Sequence, residues 1–81
     1  MPHVEVIWTD GPDGNVAYLA EHGVTPDEAE YVLRHPIGRG VSRSSGRPIV
    51  FGFTRARRKL AVVYEVIDDA AVLPTTAYEV G

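Results

Sequence analysis

The side chains best suited to chemistry in this chain are cations, and they are confined to its middle. All eight Lys and Arg residues fall within residues 34–59, and no Asp or Glu occurs in residues 31–64. The acids lie in the flanks, seven in residues 1–30 and four in residues 65–81. Seven of the eight cations are Arg, whose guanidinium can hold two phosphate oxygens at once. The charge separation therefore predicts attraction to phosphates or to an acidic partner, although the net charge is −3.

Two stretches of the sequence concentrate these cations. In residues 39–47 Arg recurs at every fourth position, and residues 55–59 contain four further cations. If the two stretches lie at the same end of a sheet, they form one surface that binds nucleic acid by neutralising phosphates, more weakly as salt rises. The predicted RNA- or anion-binding residues are Arg39, Arg43, Arg47, Arg55, Arg57, Arg58 and Lys59. Binding of an acidic protein and pairing with the chain's own eleven carboxylates are alternative roles for these cations.

Cleavage of RNA at such a surface would also need proton transfer. Attack of a 2′-hydroxyl on the adjacent phosphate uses a general base, a general acid and cations on the phosphate. His35, Tyr64, Glu65 or Tyr78 could supply the proton transfer, and no spacing selects among them. The candidates for proton transfer that we retain are His35, Tyr64 and Tyr78. Each also has a structural explanation. A Tyr commonly packs in a core or at an edge, and His35 precedes Pro36 at a predicted helix end, where a cation is favoured.

Other kinds of site are predicted to be absent. His3, His22 and His35 share no metal-ligand spacing, and the chain has no Cys for a thiolate site or a disulfide. Gly38 and Gly40 flank an Arg without the preceding strand and following helix that a phosphate-binding loop needs. We therefore expect neither a metal nor a cofactor.

The length of 81 residues predicts one domain, whose N-terminal half consists of a strand followed by two helices. Apolar residues alternate in residues 4–9, and the turn-forming residues 10–14 end that strand. The first helix is predicted to end at Gly23, which can adopt a left-handed conformation. The second begins at an N-cap, Thr25, with Glu28 completing a capping box, and ends before a Pro. Each helix is expected to have about ten residues.

The C-terminal half is predicted to be β structure. Residues 49–53 form one strand, in which Ile49, Phe51 and Phe53 alternate with Val50 and Gly52. Residues 59–67 form a strongly apolar strand, which we place at the centre of a sheet because residues 60–67 are apolar on both faces except at Glu65. Asp68 and Asp69 predict a hairpin turn before a last strand. That strand contains Pro74, which has no N–H to donate and therefore predicts either an edge position or a bulge.

Residues 39–48, rich in Gly, Ser and Arg, predict only a ragged strand and a turn. The resulting order, β-α-α-β-β-β, predicts an α+β fold in which two N-terminal helices pack on one face of a small antiparallel sheet. The longest apolar run is far too short to cross a bilayer, and the first residues lack the pattern of a signal peptide. We expect a soluble cytoplasmic protein with no membrane association.

Several short motifs of the chain follow one another in a recognisable order. They comprise a strand end with Trp and Asp, a helix with Asn and Leu, a His-Gly-Val turn and a helix with Glu and Ala. The residues are Trp8, Asp10, Asn15, Leu19, His22, Gly23, Val24, Glu28 and Ala29. Together they resemble the opening of BrnT-type toxins of bacterial toxin–antitoxin pairs, which are related in fold to the RelE ribonuclease toxins. Later strands are also similar, so that the resemblance covers residues 8–34 and 46–79.

The resemblance implies a RelE-like fold and an RNA-cleaving, translation-blocking toxin that an antitoxin neutralises. The chain differs from the family in having Glu21 where the family has Lys, and in having residues 75–81 where the family has an Arg-rich segment. The partners predicted are therefore RNA and a cognate antitoxin. Two alternatives remain. One is a non-catalytic module that uses the cations for protein binding alone, and the other is a homodimer in which acidic helices meet basic strands.

Overall fold

The structure, a computed structural model, describes residues 4–81; residues 1–3, with His3 and most of the segment considered for a signal peptide, lie outside it. Seven elements follow one another along the described part. They are β1 (Glu5–Val6), α1 (Asn15–Glu21), α2 (Pro26–Arg34), β2 (Gly38–Val41), β3 (Pro48–Phe53), β4 (Lys59–Asp68) and β5 (Ala71–Glu79). The predicted α+β class with two helices is confirmed.

The five strands form one mixed sheet in the order β1-β5-β4-β3-β2. Strands β2 to β5 pair antiparallel in sequence order, whereas β1 lies parallel to β5. The prediction of a purely antiparallel sheet is wrong at this edge, because the polarity pattern of a strand does not encode its direction relative to a neighbour. The segment expected to be ragged adds a regular four-residue strand, β2, at the opposite edge.

β4 is the middle strand, as predicted, and its first half is buried on both faces. β5 lies between β1 and β4, so its Pro is not at an edge. Instead the pairing shifts by one residue: Thr76 lies opposite Val63 and Pro74 opposite Tyr64, with Thr75 bulged between them. Thr75 Oγ1 donates a hydrogen bond to Val63 O at 3.2 Å. Of the two predicted accommodations for Pro74, the bulge is confirmed.

Both predicted helix boundary signals form. Gly23 follows α1 with a φ of 74°, and the Val24 N–H donates to Leu19 O at 3.1 Å, which closes the last turn. Thr25 and Glu28 make the capping box, each side chain accepting from the other's backbone N–H. The helices have seven and nine residues, fewer than expected. Neither helix of the described part is long enough to cross a bilayer.

The sheet carries an apolar cluster on each face. The larger one lies between the helices and the sheet and contains Leu19, Val24, Ala29, Val32, Leu33, Val50, Leu60, Val62, Tyr64, Val72 and Ala77. The smaller one contains Ile49, Ala61 and Val63, with Phe51 and Val80 packed against it. Because side chains alternate along a strand, this second cluster faces away from both helices. We call this side of the sheet the open face.

Asn15, the first residue of α1, ties the helix to both neighbouring strands. Its Nδ2 donates to Ile7 O and to Pro74 O, both at 2.9 Å, and its Oδ1 accepts from the Thr9 N–H at 2.8 Å. The Thr9 hydroxyl oxygen accepts in turn from the Asn15 N–H at 3.0 Å. The preceding residue, Gly14, is buried against backbone carbonyl groups and offers no capping side chain. The start of α1 is therefore held by a side-chain amide that uses both of its donor hydrogens.

Candidate functional site

The predicted cationic surface divides into two. Loop residues 42–47 join β2 to β3, and loop residues 54–58 join β3 to β4. Because β3 pairs antiparallel with both neighbours, the two loops lie at opposite ends of this six-residue strand, which separates them by roughly 17 Å. The prediction of one shared surface is wrong, since consecutive hairpins turn at alternate ends of a sheet.

Six of the seven predicted anion-binding residues fall into two groups. The β2 group consists of Arg39, Arg43 and Arg47, and the β4 group consists of Arg55, Arg57 and Lys59. None of these six side chains forms an ion pair with a carboxylate of residues 4–81. They are therefore available to external anions, at two separate places.

Arg58, the seventh predicted residue, serves the fold. Its guanidinium donates to Glu28 Oε2 at 2.9 Å, to Glu79 Oε1 at 3.2 Å and to Gly23 O at 3.3 Å. These contacts join the β3–β4 loop to the start of α2 and the end of β5. The hydrogen bond that Arg58 donates to Glu79 contributes most to raising the pKa of Arg58, so that this side chain stays charged. Arg58 thus follows the alternative in which a cation pairs with the chain's own carboxylates.

The contacts of Glu28 with Thr25 and Arg58 make the stability of the fold depend on pH in the acid range. The backbone hydrogen bond from Thr25, with Arg58 as the nearby charge, holds the pKa of Glu28 below its usual value of 4.5. A carboxylate with a lowered folded-state pKa stabilises the fold above its unfolded pKa, and this stability is lost as pH falls through the folded value. We expect Glu28→Gln to flatten the fall of the urea midpoint below about pH 4.5. Glu21→Gln, on the exposed end of α1, should leave that fall unchanged; an unchanged profile in Glu28→Gln would contradict the assignment.

The open face places aromatic side chains beside the β4 group. In the register of the sheet, Phe53 lies opposite Lys59, and Ala61 lies between Phe51 and Tyr78 on its two neighbouring strands. Phe53 is 46% exposed and Tyr78 39% exposed, whereas Ala61 is fully buried. Two partly exposed rings and a Lys side chain therefore share one end of a sheet face that neither helix covers.

The β3–β4 loop lies between this end of the open face and α2. Phe53, Arg55, Arg57 and Tyr31 line a shallow pocket beside the loop, and the Arg55 guanidinium lies 5.0 Å from the centre of the Tyr31 ring. Arg57 has a φ of 66°, the one positive value among the non-glycine residues of the described part. A left-handed conformation costs an Arg about 1 kcal/mol. The loop therefore combines unpaired cations with a strained backbone at one of them.

The three candidates for proton transfer are not brought together. His35 ends α2, where its ring stacks on Tyr31 with 4.3 Å between ring centres and its Nδ1 lies 2.9 Å from Tyr31 O. Tyr64 is buried in the cluster beneath the helices, and Tyr78 is on the open face. Within residues 4–81, His, Asp and Glu side chains also form no group of three that could hold a metal.

Sequence reasoning named Tyr78 as a candidate for proton transfer but missed Phe53 and the position of both rings on the open face. The alternation of residues 49–53 predicted a strand, but it did not show which side would lie beneath the helices. A signal was available: residues 60–64 are apolar at consecutive positions, so both faces of β4 must be covered by other parts of the protein. The partly exposed rings of Phe53 and Tyr78 belong to the face that the helices leave uncovered.

Comparisons with protein-family models, with curated proteins and with solved structures yield no match.

Proposed function

We propose that this protein binds single-stranded RNA on the open face of its sheet. The observation that carries the proposal is the juxtaposition of Phe53 and Tyr78, both partly exposed, with the unpaired cations Lys59 and Arg57. Proteins that bind single strands combine aromatic side chains, on which bases stack, with cations that follow the phosphates. A double helix would hide its bases from such rings, so a single strand fits this surface better.

The resemblance to BrnT-type and RelE-like toxins extends the proposal. In those proteins RNA is the substrate, so that cleavage of the bound strand is part of the proposed function. Of the three candidates for proton transfer, Tyr78 lies on the open face, and it is the one we carry forward. Growth arrest with fragmented RNA on expression in bacteria would support cleavage, and intact RNA would limit the function to binding.

Binding is tested by fluorescence anisotropy with a labelled single-stranded RNA of about 12 nucleotides. Phe53→Ala should weaken binding about tenfold, because loss of one stacked base costs roughly 1–3 kcal/mol. Arg57→Gly should lower the slope of log affinity against log salt by about one. This second variant also relieves the left-handed strain at position 57, so that weaker binding cannot be attributed to unfolding.

Matched variants elsewhere on the surface serve as controls. Tyr18 is 50% exposed on α1, away from the open face, and Tyr18→Ala should leave RNA affinity unchanged. Arg43→Gly removes a cation from the loop at the other end of β3 and should change the affinity less than about twofold. If these controls weaken binding as much as the open-face variants do, RNA binds by diffuse charge and the proposed site is wrong.

A further inference from the structure

The structure has a second unpartnered feature, the free edge of β2. We infer that this edge is a docking site for an extended acidic segment of a partner protein, which adds to the sheet as a sixth strand. β2 ends the strand order, so that no further strand of residues 4–81 lies beyond it. The inference concerns a different surface from the RNA site and does not depend on it.

The backbone of β2 presents hydrogen-bonding groups outward. The Ser42 N–H donates to Arg47 O at 2.8 Å, which identifies these two residues as a hydrogen-bonded pair of the hairpin. Such pairs alternate along antiparallel strands, so the N–H and C=O of Arg39 and Val41 point away from β3. Pro48 lies opposite Val41. This pair is one of the non-hydrogen-bonded pairs, so the missing N–H of Pro48 leaves no group of Val41 without its partner on β3. The edge therefore offers the backbone N–H and C=O groups of Arg39 and Val41, at the spacing with which a further strand can pair.

The side chains along this edge define what the incoming strand should carry. Arg39 and Val41 lie two residues apart on β2, and both are exposed, Val41 to 68%. Side chains two residues apart lie on the same face of a strand. An added strand with an acidic residue near Arg39 and an apolar residue two positions away would contact both side chains. An apolar residue on each side of the acidic one allows either strand direction, so the predicted pattern is apolar-x-acidic-x-apolar.

Charge decides between the possible occupants. The hairpin of residues 37–53 contains the three Arg of the β2 group and no Asp or Glu, and none of these Arg pairs with a carboxylate of residues 4–81. A second copy pairing edge to edge would bring Arg39 near its own counterpart, and like charges across strands destabilise the pair. RNA could reach the guanidinium groups but has no backbone donors and acceptors to match a strand. An acidic peptide uses both features.

The test uses a labelled peptide of about nine residues. Val, Glu and Val occupy alternate positions on one face of the extended peptide, and Thr occupies the other positions. This peptide should bind the wild-type protein in fluorescence anisotropy. Two matched peptides, one with Lys in place of Glu and one with N-methyl groups on the pairing edge, should bind at least about tenfold more weakly. Equal binding of all three peptides, or no binding of the acidic peptide, would overturn the inference.

Variants of the protein locate the binding. Val41→Pro removes an outward N–H without breaking the β2–β3 pairing, and it should weaken the acidic peptide about tenfold while Val41→Thr does not. Arg39→Glu should have a similar effect and Arg57→Glu, at the other end of β3, should have little. Thermal unfolding of each variant shows whether it is folded; if Val41→Pro is not, the N-methylated peptide tests the same backbone pairing.

The remaining occupants are separate outcomes. A dimer in sedimentation that Val41→Pro abolishes would show that the edge takes a second copy, which overturns the acidic-peptide assignment. RNA that competes with the peptide and loses affinity in Arg39→Glu would show a nucleic-acid site instead. If only the RNA proposal is wrong, Val41→Pro and Arg39→Glu will still weaken binding of the acidic peptide. The two proposals therefore fail in distinguishable ways.

Discussion

Asn15→Asp is expected to lower the free energy of unfolding by about 3 kcal/mol at pH 7, because each buried group left without its partner costs roughly 1–3 kcal/mol. The substitution keeps the oxygen that accepts from the Thr9 N–H but replaces Nδ2, which donates to Ile7 O and Pro74 O. An oxygen at that position faces two carbonyl oxygens and repels both. Urea denaturation of the wild type and the variant at pH 7 measures the difference.

The control for this prediction is Thr9→Ser, which keeps the hydroxyl oxygen that accepts from the Asn15 N–H. It should cost less than about 1 kcal/mol. Protonation of the introduced carboxyl group restores one donor, so the difference in the free energy of unfolding between variant and wild type should become smaller towards acid pH. A gap that is absent at pH 7 would mean that the contacts of Asn15 do not hold α1 to β1 and β5.

Gly14→Ala is expected to lower the free energy of unfolding by about 3 kcal/mol, the upper end for overpacking, and the melting temperature on the order of 15 °C. A Cβ at this position would lie 2.7 Å from the carbonyl carbon of Thr9 and 2.8 Å from Asp10 O. These are backbone atoms, so no side chain can rotate away to relieve the contact. The loop before α1 must then move, and the contacts of Asn15 move with it.

Gly40→Ala provides the matched control. A Cβ on Gly40 would lie 3.5 Å from Phe51 Cε2, an ordinary contact distance, and surface substitutions of this kind change stability by less than about 0.5 kcal/mol. Scanning calorimetry of both variants compares the same chemical change in two settings. Equal melting temperatures for Gly14→Ala and the wild type would show that the loop can open without cost.

The division of the cations gives the two proposals their geometry. The β4 group lies beside aromatic rings on the open face, and the β2 group lies along an unpaired strand edge. Their separation by the length of β3 would let one molecule bind both proposed ligands, RNA and an acidic protein segment, at once. The physical basis of the difference is the neighbour of each cation, a stacking surface in one case and free backbone groups in the other.

The local elements were largely predictable because their signals act over a few residues. The capping box of Thr25 and Glu28 and the left-handed Gly23 fix helix ends through hydrogen bonds within one turn. Pro74 predicted that its strand would lie at an edge or contain a bulge, and the structure has the bulge. The central position of β4 followed from apolar residues on both of its faces. The class of the fold follows from these elements in order.

By itself, the sequence determined where α1 ends and α2 begins, which strand is central, and that all cations fall in one continuous segment. Tertiary structure alone decided that this segment folds into two hairpins turning at opposite ends of the sheet, that β1 joins the far edge in parallel, and that Arg58 pairs with Glu28 and Glu79. These outcomes depend on contacts between distant parts of the chain; the two partners of Arg58, for example, lie 21 and 30 positions away in the sequence. Local patterning carries no information about which distant chain segments meet.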